Sequence, residues 1–322
     1  MTKQNSTNRR IALSRREMLK GLSVGALGLA ALPLVNRTAN AQAVPSGQDV
    51  AAFYRFQIGD FQATVVMDVA FPFDATGLGV NQAPEDVLAF FETVNRPINP
   101  DGTLFLTVLS MMLQTGDQTV LFDTGNGPGV GKLAATLGAL GVAPEDVDTI
   151  IMSHLHPDHI GGLSNEGELI YPNAAVLFPQ AEFDFMQNGP EQAVSGAVAK
   201  LQPALDADMV TFTGPDEEVI PGVQAVFTPG HTPGHTSFLI ESNGSQLMAI
   251  IDTMLDADLA IQNPGWHAFF DGDPVAAADT RQAIIDRIVS EQLQVWGYHF
   301  PFPGTGFIVE SANGPRWVPY AV

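Results

Sequence analysis

The chain contains no cysteine, few cations and, beyond its first few dozen residues, no long apolar run. Without cysteine there is no disulfide framework, no thiolate metal site and no thiol nucleophile. Only 14 Lys and Arg stand against 35 Asp and Glu. Seven of those cations and a single acid, Glu17, precede residue 42, which leaves residues 42–322 with 7 cations, 34 acids and a formal net charge of −27. Such a surface repels nucleic acid and anionic lipid. No stretch after the first 41 residues has the length of a membrane span. Composition leaves a homodimer open.

The start of the chain reads as an address. Ser14-Arg15-Arg16-Glu17-Met18-Leu19-Lys20 is a twin-arginine pattern, followed by the weakly apolar run 21–35 and the small residues Ala39-Asn40-Ala41. The run is short and rich in Gly and Ala, which favours a cleaved secretory leader over an anchor. The expectation is a leader over 1–41, cleavage after Ala41, and a periplasmic or secreted domain over 42–322.

What the chain does have is one dense cluster, Ser153-His154-Leu155-His156-Pro157-Asp158-His159. Alternate residues of an extended segment share a side, so His154 and His156 converge. Pro157 suits the first turn of a helix and puts Asp158 and His159 on that turn, aimed at a neighbouring point. Two adjacent donor sets point to two divalent metal ions. Imidazole and carboxylate suit zinc, and also manganese, iron, cobalt or nickel.

Around the cluster, strands end in polar residues. Strands are expected over 53–67 with a turn at Gly59-Asp60, over 104–114 and 119–123 as a hairpin, and over 148–152, 174–178, 223–227, 237–241, 247–251 and 293–296. Residues 71–82 read as a loop. Helices are expected from Pro84, around Leu133-Leu137-Leu140, over 183–201 with a break at Gly189-Pro190, and from Asp273-Pro274. His154, His231, Asp252 and His299 each follow an apolar strand. Strands and helices alternate in two blocks, roughly 50–205 and 206–322, which makes an α/β chain.

Asp123-Thr-Gly, the His-x-His-x-Asp-His run, Thr228-Pro-Gly-His-Thr-Pro-Gly-His, Ile251-Asp252 and the late His299 occur in that order. In this the chain resembles the metallo-β-lactamase superfamily across nearly all of residues 42–322. The resemblance implies a four-layer αβ/βα sandwich with two mixed sheets and helices outside. It implies a first metal held by His154, His156 and His231, and a second by Asp158, His159 and His299. Asp252 would bridge both, beside a shared hydroxide that attacks the substrate, and Asp158 would orient that hydroxide and pass on a proton. Asp123 and His235 are expected to support these ligands rather than join them. His267 either lines the pocket or packs, and Phe71, Phe73, Trp266 and Phe302 are expected pocket walls.

The activity that the resemblance implies is a metal-dependent hydrolase of ester or lactone bonds, and the partner it implies is a small-molecule substrate. Asp252 and the lack of cysteine speak against a true β-lactamase. Pro157 and Leu255 replace the Phe and Tyr frequent in acyl-homoserine-lactone lactonases, and with Tyr54-Arg55-Phe56, Asn81-Gln82-Ala83-Pro84 and Phe302-Pro303-Gly304 they resemble the methyl parathion hydrolase group. An apolar aryl ester or lactone is the expected substrate, with organophosphate triesters as a side activity. The alternatives are an acyl-homoserine-lactone lactonase and, in another class, a metal-dependent oxidoreductase of the same fold.

Overall fold

The computed structural model describes residues 52–320. The expected leader and its cleavage site lie outside them. In chain order the elements are β1 (Phe53–Ile58), β2 (Phe61–Asp74), α1 (Pro84–Thr93), β3 (Thr103–Gln114), β4 (Thr119–Phe122), α2 (Leu133–Ala139), β5 (Thr149–Ile151), α3 (Pro157–Ile160), the two-residue strands β6 (Ser164–Asn165) and β7 (Glu168–Leu169), β8 (Ala175–Pro179), α4 (Gln180–Asn188), α5 (Glu191–Asp206) and β9 (Val210–Thr213). There follow β10 (Glu218–Ile220), β11 (Val223–Phe227), β12 (Thr236–Ser242), β13 (Ser245–Ile251), α6 (Leu259–Gln262), α7 (Pro274–Glu291), β14 (Gln294–Gly297), β15 (Thr305–Val309) and β16 (Arg316–Pro319).

The strands form two seven-stranded sheets, ordered β1-β2-β3-β4-β5-β8-β9 and β10-β11-β12-β13-β14-β15-β16. The period-two alternation of each strand sorts its side chains into layers. Val65 and Met111 of the first sheet meet Ala249, Phe238 and Trp296 of the second in one core between the sheets. Their neighbours Val66 and Met112 point the other way, against Leu133 and Leu137 of α2 and Leu201 of α5. Met248 and Ile250 likewise leave the inner core and pack on Ile284, Ile285 and Ile288 of α7. Helix, sheet, sheet and helix therefore stack in four layers, as expected. Both sheets are mixed: β4, β5, β8 and β9 run parallel, as do β13 and β14. Among the described residues no helix is long and apolar enough to cross a membrane.

Two expectations need correction. Residues 71–74 are not loop, because β2 continues to Asp74 and pairs with β3 as far as Asp74↔Thr103. Pro72 is tolerated there since β1 pairs only up to Val66, leaving that part of β2 on a free edge. The first sheet also runs past residue 205, to β9, whose four residues alternate too weakly to stand out in the sequence.

Candidate metal centre

Parallel strands place the chemistry. Loops that follow β4, β5, β13 and β14 leave the carboxyl ends of parallel strands, where α/β sheets form their clefts. The loop after β5 carries His154 and His156, and Pro157 stands at the first position of α3 as expected, with Asp158 and His159 on its single turn. His231 lies in the turn between β11 and β12. Gly230 adopts φ +128, and a Cβ there would lie 2.2 Å from the amide nitrogen of Ala277, so glycine lets this turn sit against α7. Asp252 follows an irregularity in the β13–β14 register at 249–251, where Ile251 takes φ +51. A β-branched residue in that region is a strained backbone point, and it turns Asp252 toward the histidines.

All seven expected residues meet. His154, His156, His231 and Asp252 form one group, and Asp158, His159 and His299 a second, with the donor atoms of each group within 4.8 Å of one another. Asp252 stands between the groups. Its Oδ2 is 3.1 Å from Nε2 of His299, 3.2 Å from His231, 3.3 Å from His159 and 3.8 Å from His154. Asp158 is nearer the surface, with its Oδ2 at 3.5 Å from His299 and 3.7 Å from His159.

The outward nitrogens of four imidazoles are already engaged, which fixes their tautomers. Nδ1 of His154 donates to Ser153 Oγ at 2.9 Å, His159 to Asp123 at 2.8 Å and His299 to the Thr107 carbonyl at 2.7 Å. Nδ1 of His231 faces Asp271 at a longer 3.4 Å. Their Nε2 lone pairs therefore point inward. There Nδ1 of His156 lies 3.1 Å from Nε2 of His154 and 2.9 Å from Nε2 of His231. Nε2 of His159 and Oδ1 of Asp252 are buried with no hydrogen-bond partner at all. Converging lone pairs and orphaned acceptors fit cations and little else.

The electrostatics of the cluster make the same demand. Burial, then the neighbouring His231 charge, pushes His156 down to about 3, and burial foremost holds His154 well below its usual value. Burial also works against charge on His231, yet Asp252 and Asp271 outweigh it and lift this imidazole to about 9. His159 and His299 are raised against burial by Asp252 and Asp158. Asp252 is held well below the carboxylate range, again against burial, by His159 and His299. Without metal, protons on imidazoles supply the positive charge that Asp252 requires.

Asp123 and His235 stand behind the cluster and each contacts a member of it. Asp123, at φ +53, accepts from the Ser153 amide and hydroxyl and from His159. His235 accepts the Asp252 N–H on Nε2 at 3.1 Å while its Nδ1 faces the Thr228 carbonyl. Other supports carry no local sequence signal. Glu182 on α4 accepts from Leu155 N, Gly234 N and the Thr232 hydroxyl, bridging both His loops. Tyr298 stacks on the His159 ring at 3.9 Å between centroids and donates to the Asp158 carbonyl.

A cavity of about 280 Å³ opens on the cluster, just below the roughly 300–1,000 Å³ usual for ligand pockets. Its lining joins His156, Asp158, His231, Asp252 and His299 to Phe71, Leu106, Asn126, Pro157, Leu255 and Phe270. Of the four expected aromatic walls only Phe71 is in place. Phe73 packs on Phe270, Trp266 on Phe90, and Phe302 against the core between the sheets. His267 is half-buried away from the cavity, its N–H donating to Asn81. Leu106, Asn126 and Phe270 complete the wall. Phe270 sits in the apolar stretch 264–270, and Asn126 in the turn after Asp123, so position rather than residue type was the missing signal.

A sequence profile described as the metallo-beta-lactamase superfamily matches residues 104–291, more than half of the chain. The chain belongs to that superfamily. The match includes every cluster residue except His299. With this fold and centre, the protein is a metal-dependent hydrolase with a divalent metal site. It is 29% identical over 215 residues to an N-acyl homoserine lactonase of Bacillus cereus, covering 60% of this chain and 78% of the relative. The solved hydrolase AbOPH, of the beta lactamase superfamily, superposes with a TM-score of 0.78 at 26% identity, over 85% of this chain and 99% of that one. AidC, a dizinc quorum-quenching lactonase solved with N-hexanoyl-L-homoserine, gives a TM-score of 0.77 at 22% identity, over 85% of this chain and 99% of AidC.

Proposed function

We propose that the protein opens an uncharged lactone, with an N-acyl homoserine lactone as its first substrate class. One observation carries this: five apolar side chains wall the cavity above the metal cluster, and no Lys or Arg lines it. A carboxylate or phosphate monoester would find no cationic partner there. The relatives that match by sequence bear the lactonase name, which weighs for the acyl-homoserine-lactone reading over the aryl-ester and organophosphate reading expected from Pro157 and Leu255. Both of those residues line the cavity. They bear on how a substrate is held, while the reaction rests on the cluster.

The proposed ligand sets are His154, His156 and His231 for one ion and Asp158, His159 and His299 for the other, with Asp252 common to both and zinc the first candidate. Bound there, divalent ions supply a nucleophile at neutral pH and polarise the carbonyl oxygen. The protein's own groups do the rest. Asp158 reaches the cavity with its carboxylate, which would take the proton of the attacking water or hydroxide and then hand it to the oxygen that leaves when the ring opens. Phe71, Leu106 and Leu255 exclude water around the ring. Elemental analysis of protein purified without chelator should give close to two equivalents of metal. A hydrolysis panel should rank N-hexanoyl homoserine lactone and dihydrocoumarin above an aryl ester, a phosphotriester and a cephalosporin. Preference for the cephalosporin or the phosphotriester by a wide margin would refute the substrate reading.

Export is a separate part of the proposal and rests on sequence alone. Replacing Arg15 and Arg16 by lysine should leave the precursor inside the cell. A purified native protein that still begins at residue 1 would contradict it.

A further inference from the structure

The register of β2 against β3 shifts between Met67 and Val69, and Asp68 sits at that irregularity. Such bulges re-aim a side chain. Asp68 is turned inward, 1% exposed, and both its carboxylate oxygens accept hydrogen bonds. Oδ2 accepts from the backbone N–H of Asn126 at 2.9 Å and from the Asn126 side-chain amide at 3.2 Å, and Oδ1 accepts from Leu133 N at 2.8 Å. Gly125 and Gly131 close around it, and a Cβ on Gly131 would come within 2.3 Å of its oxygens. A carboxylate only accepts, so the Asn126 NH2 must face Asp68, which fixes which way the amide is turned. The Oδ1 of Asn126 is thereby turned away from Asp68, and the residue lines the cavity.

Asn126 is the single polar side chain among the cavity-lining residues that lies outside the proposed ligand sets. A substrate amide entering among Phe71, Leu106, Leu255 and Phe270 gives up its water and loses affinity unless something in the wall replaces that hydrogen bond. We propose that Asn126, set by Asp68, is a specificity-determining residue whose Oδ1 accepts the N–H of an amide borne by the substrate beside its lactone ring. This rests on the lactonase reading. It makes the enzyme select amide-bearing lactones over alkyl lactones of the same ring size, by a contact that takes no part in ring opening.

The test compares N-hexanoyl homoserine lactone, its N-methylated analogue and γ-decalactone on the metal-loaded wild type and on Asn126→Ala. The ratio of kcat/KM for the amide-bearing lactone over γ-decalactone should fall about tenfold in Asn126→Ala. N-methylation should cost the wild type a similar factor and cost Asn126→Ala much less, the pattern of two changes acting on one contact. Melting temperature and bound metal report whether the variant folds, and the wild-type penalty for N-methylation needs no variant. Equal losses on both lactones, or a wild type indifferent to N-methylation, would overturn the assignment and leave the lactonase reading standing. A wild type that opens none of the three would overturn both.

Discussion

Arg281 and Asp271 form a buried ion pair, 3.0 Å between Nη2 and Oδ2, and the other oxygen of that carboxylate faces Nδ1 of His231. Arg281 projects from α7 and also donates to the carbonyls of Thr253, Pro264 and Trp266. One guanidinium thus fixes the residue after Asp252, the loop that carries Phe270, and the acceptor behind a metal-facing imidazole. Removing one partner strands the other charge in the interior. Arg281→Met should cost about 3–5 kcal/mol in denaturant unfolding. Asp271→Ala should weaken metal affinity about 10- to 100-fold in chelator competition, because His231 loses the acceptor that orients it. Unchanged affinity in Asp271→Ala would show that the 3.4 Å approach to His231 carries no coupling.

Glu182 offers a second test of how the centre is held. Burial raises its pKa, although its three hydrogen bonds pull the other way. Its oxygens satisfy amides in two separate loops, beside His154 and beside His231. Gln keeps the shape but turns one acceptor into a donor, so at least one of these N–H groups loses its partner. Glu182→Gln should destabilise the protein by about 1–3 kcal/mol and loosen metal binding together with it. A variant as stable as the wild type, with full metal content, would show that the two loops hold themselves.

How much of this was legible beforehand follows from range in sequence. His154, His156, Asp158 and His159 share one short run that residue type and spacing mark, while His231, Asp252 and His299 each follow an apolar strand and were joined to that run by the resemblance. The sandwich was legible through the resemblance that the motifs carry; that Val65-Val66 and Met111-Met112 face two different apolar layers only the packing shows. Asp271 lies 40 residues from the histidine it faces, and nothing in its neighbours marks it. Asp68 reads as an ordinary polar residue in a strand until the bulge turns it inward. The expected wall of Phe73, Trp266 and Phe302 failed for a related reason: aromatic type says that a side chain is buried, and only packing says against what.

The metal-free centre should titrate in a defined sense. His231 rests near 9, above the unfolded value of about 6.5, because Asp252 and Asp271 overcome its burial. A group raised in the folded state contributes stability that is complete below its unfolded pKa and is lost as pH climbs through the folded one. Chelator-treated protein should therefore unfold more easily at about pH 9.5 than near pH 6, by on the order of 3 kcal/mol from His231. Bound metal needs the neutral imidazole, so metal affinity should rise over that same interval. Denaturant titrations of metal-free and loaded protein at the two pH values would check this, and a metal-free protein that gains stability toward pH 9.5 would contradict it.

Acyl-chain length should be read by Phe270. Its ring lines the cavity yet is 39% exposed, and it meets Phe73 at 5.4 Å and Phe269, 68% exposed, at 5.3 Å between centroids. These rings form an apolar rim on a surface otherwise dominated by acidic charge. The cavity itself, about 280 Å³, is too small for a lactone ring and a long acyl chain together, so the end of a longer chain must run out along the rim. Each methylene covered there is worth up to about 0.8 kcal/mol. In the wild type kcat/KM should climb from butanoyl to decanoyl homoserine lactone and then level off where the chain passes the rings. Phe270→Ala should flatten that climb, with a loss of about tenfold on the decanoyl substrate beyond any loss on the butanoyl one. The comparison within one variant cancels any general damage to the centre. If the wild type shows no dependence on chain length, the rim does not hold the chain. If Phe270→Ala lowers both substrates equally, the ring shapes the cavity and does not contact the acyl tail.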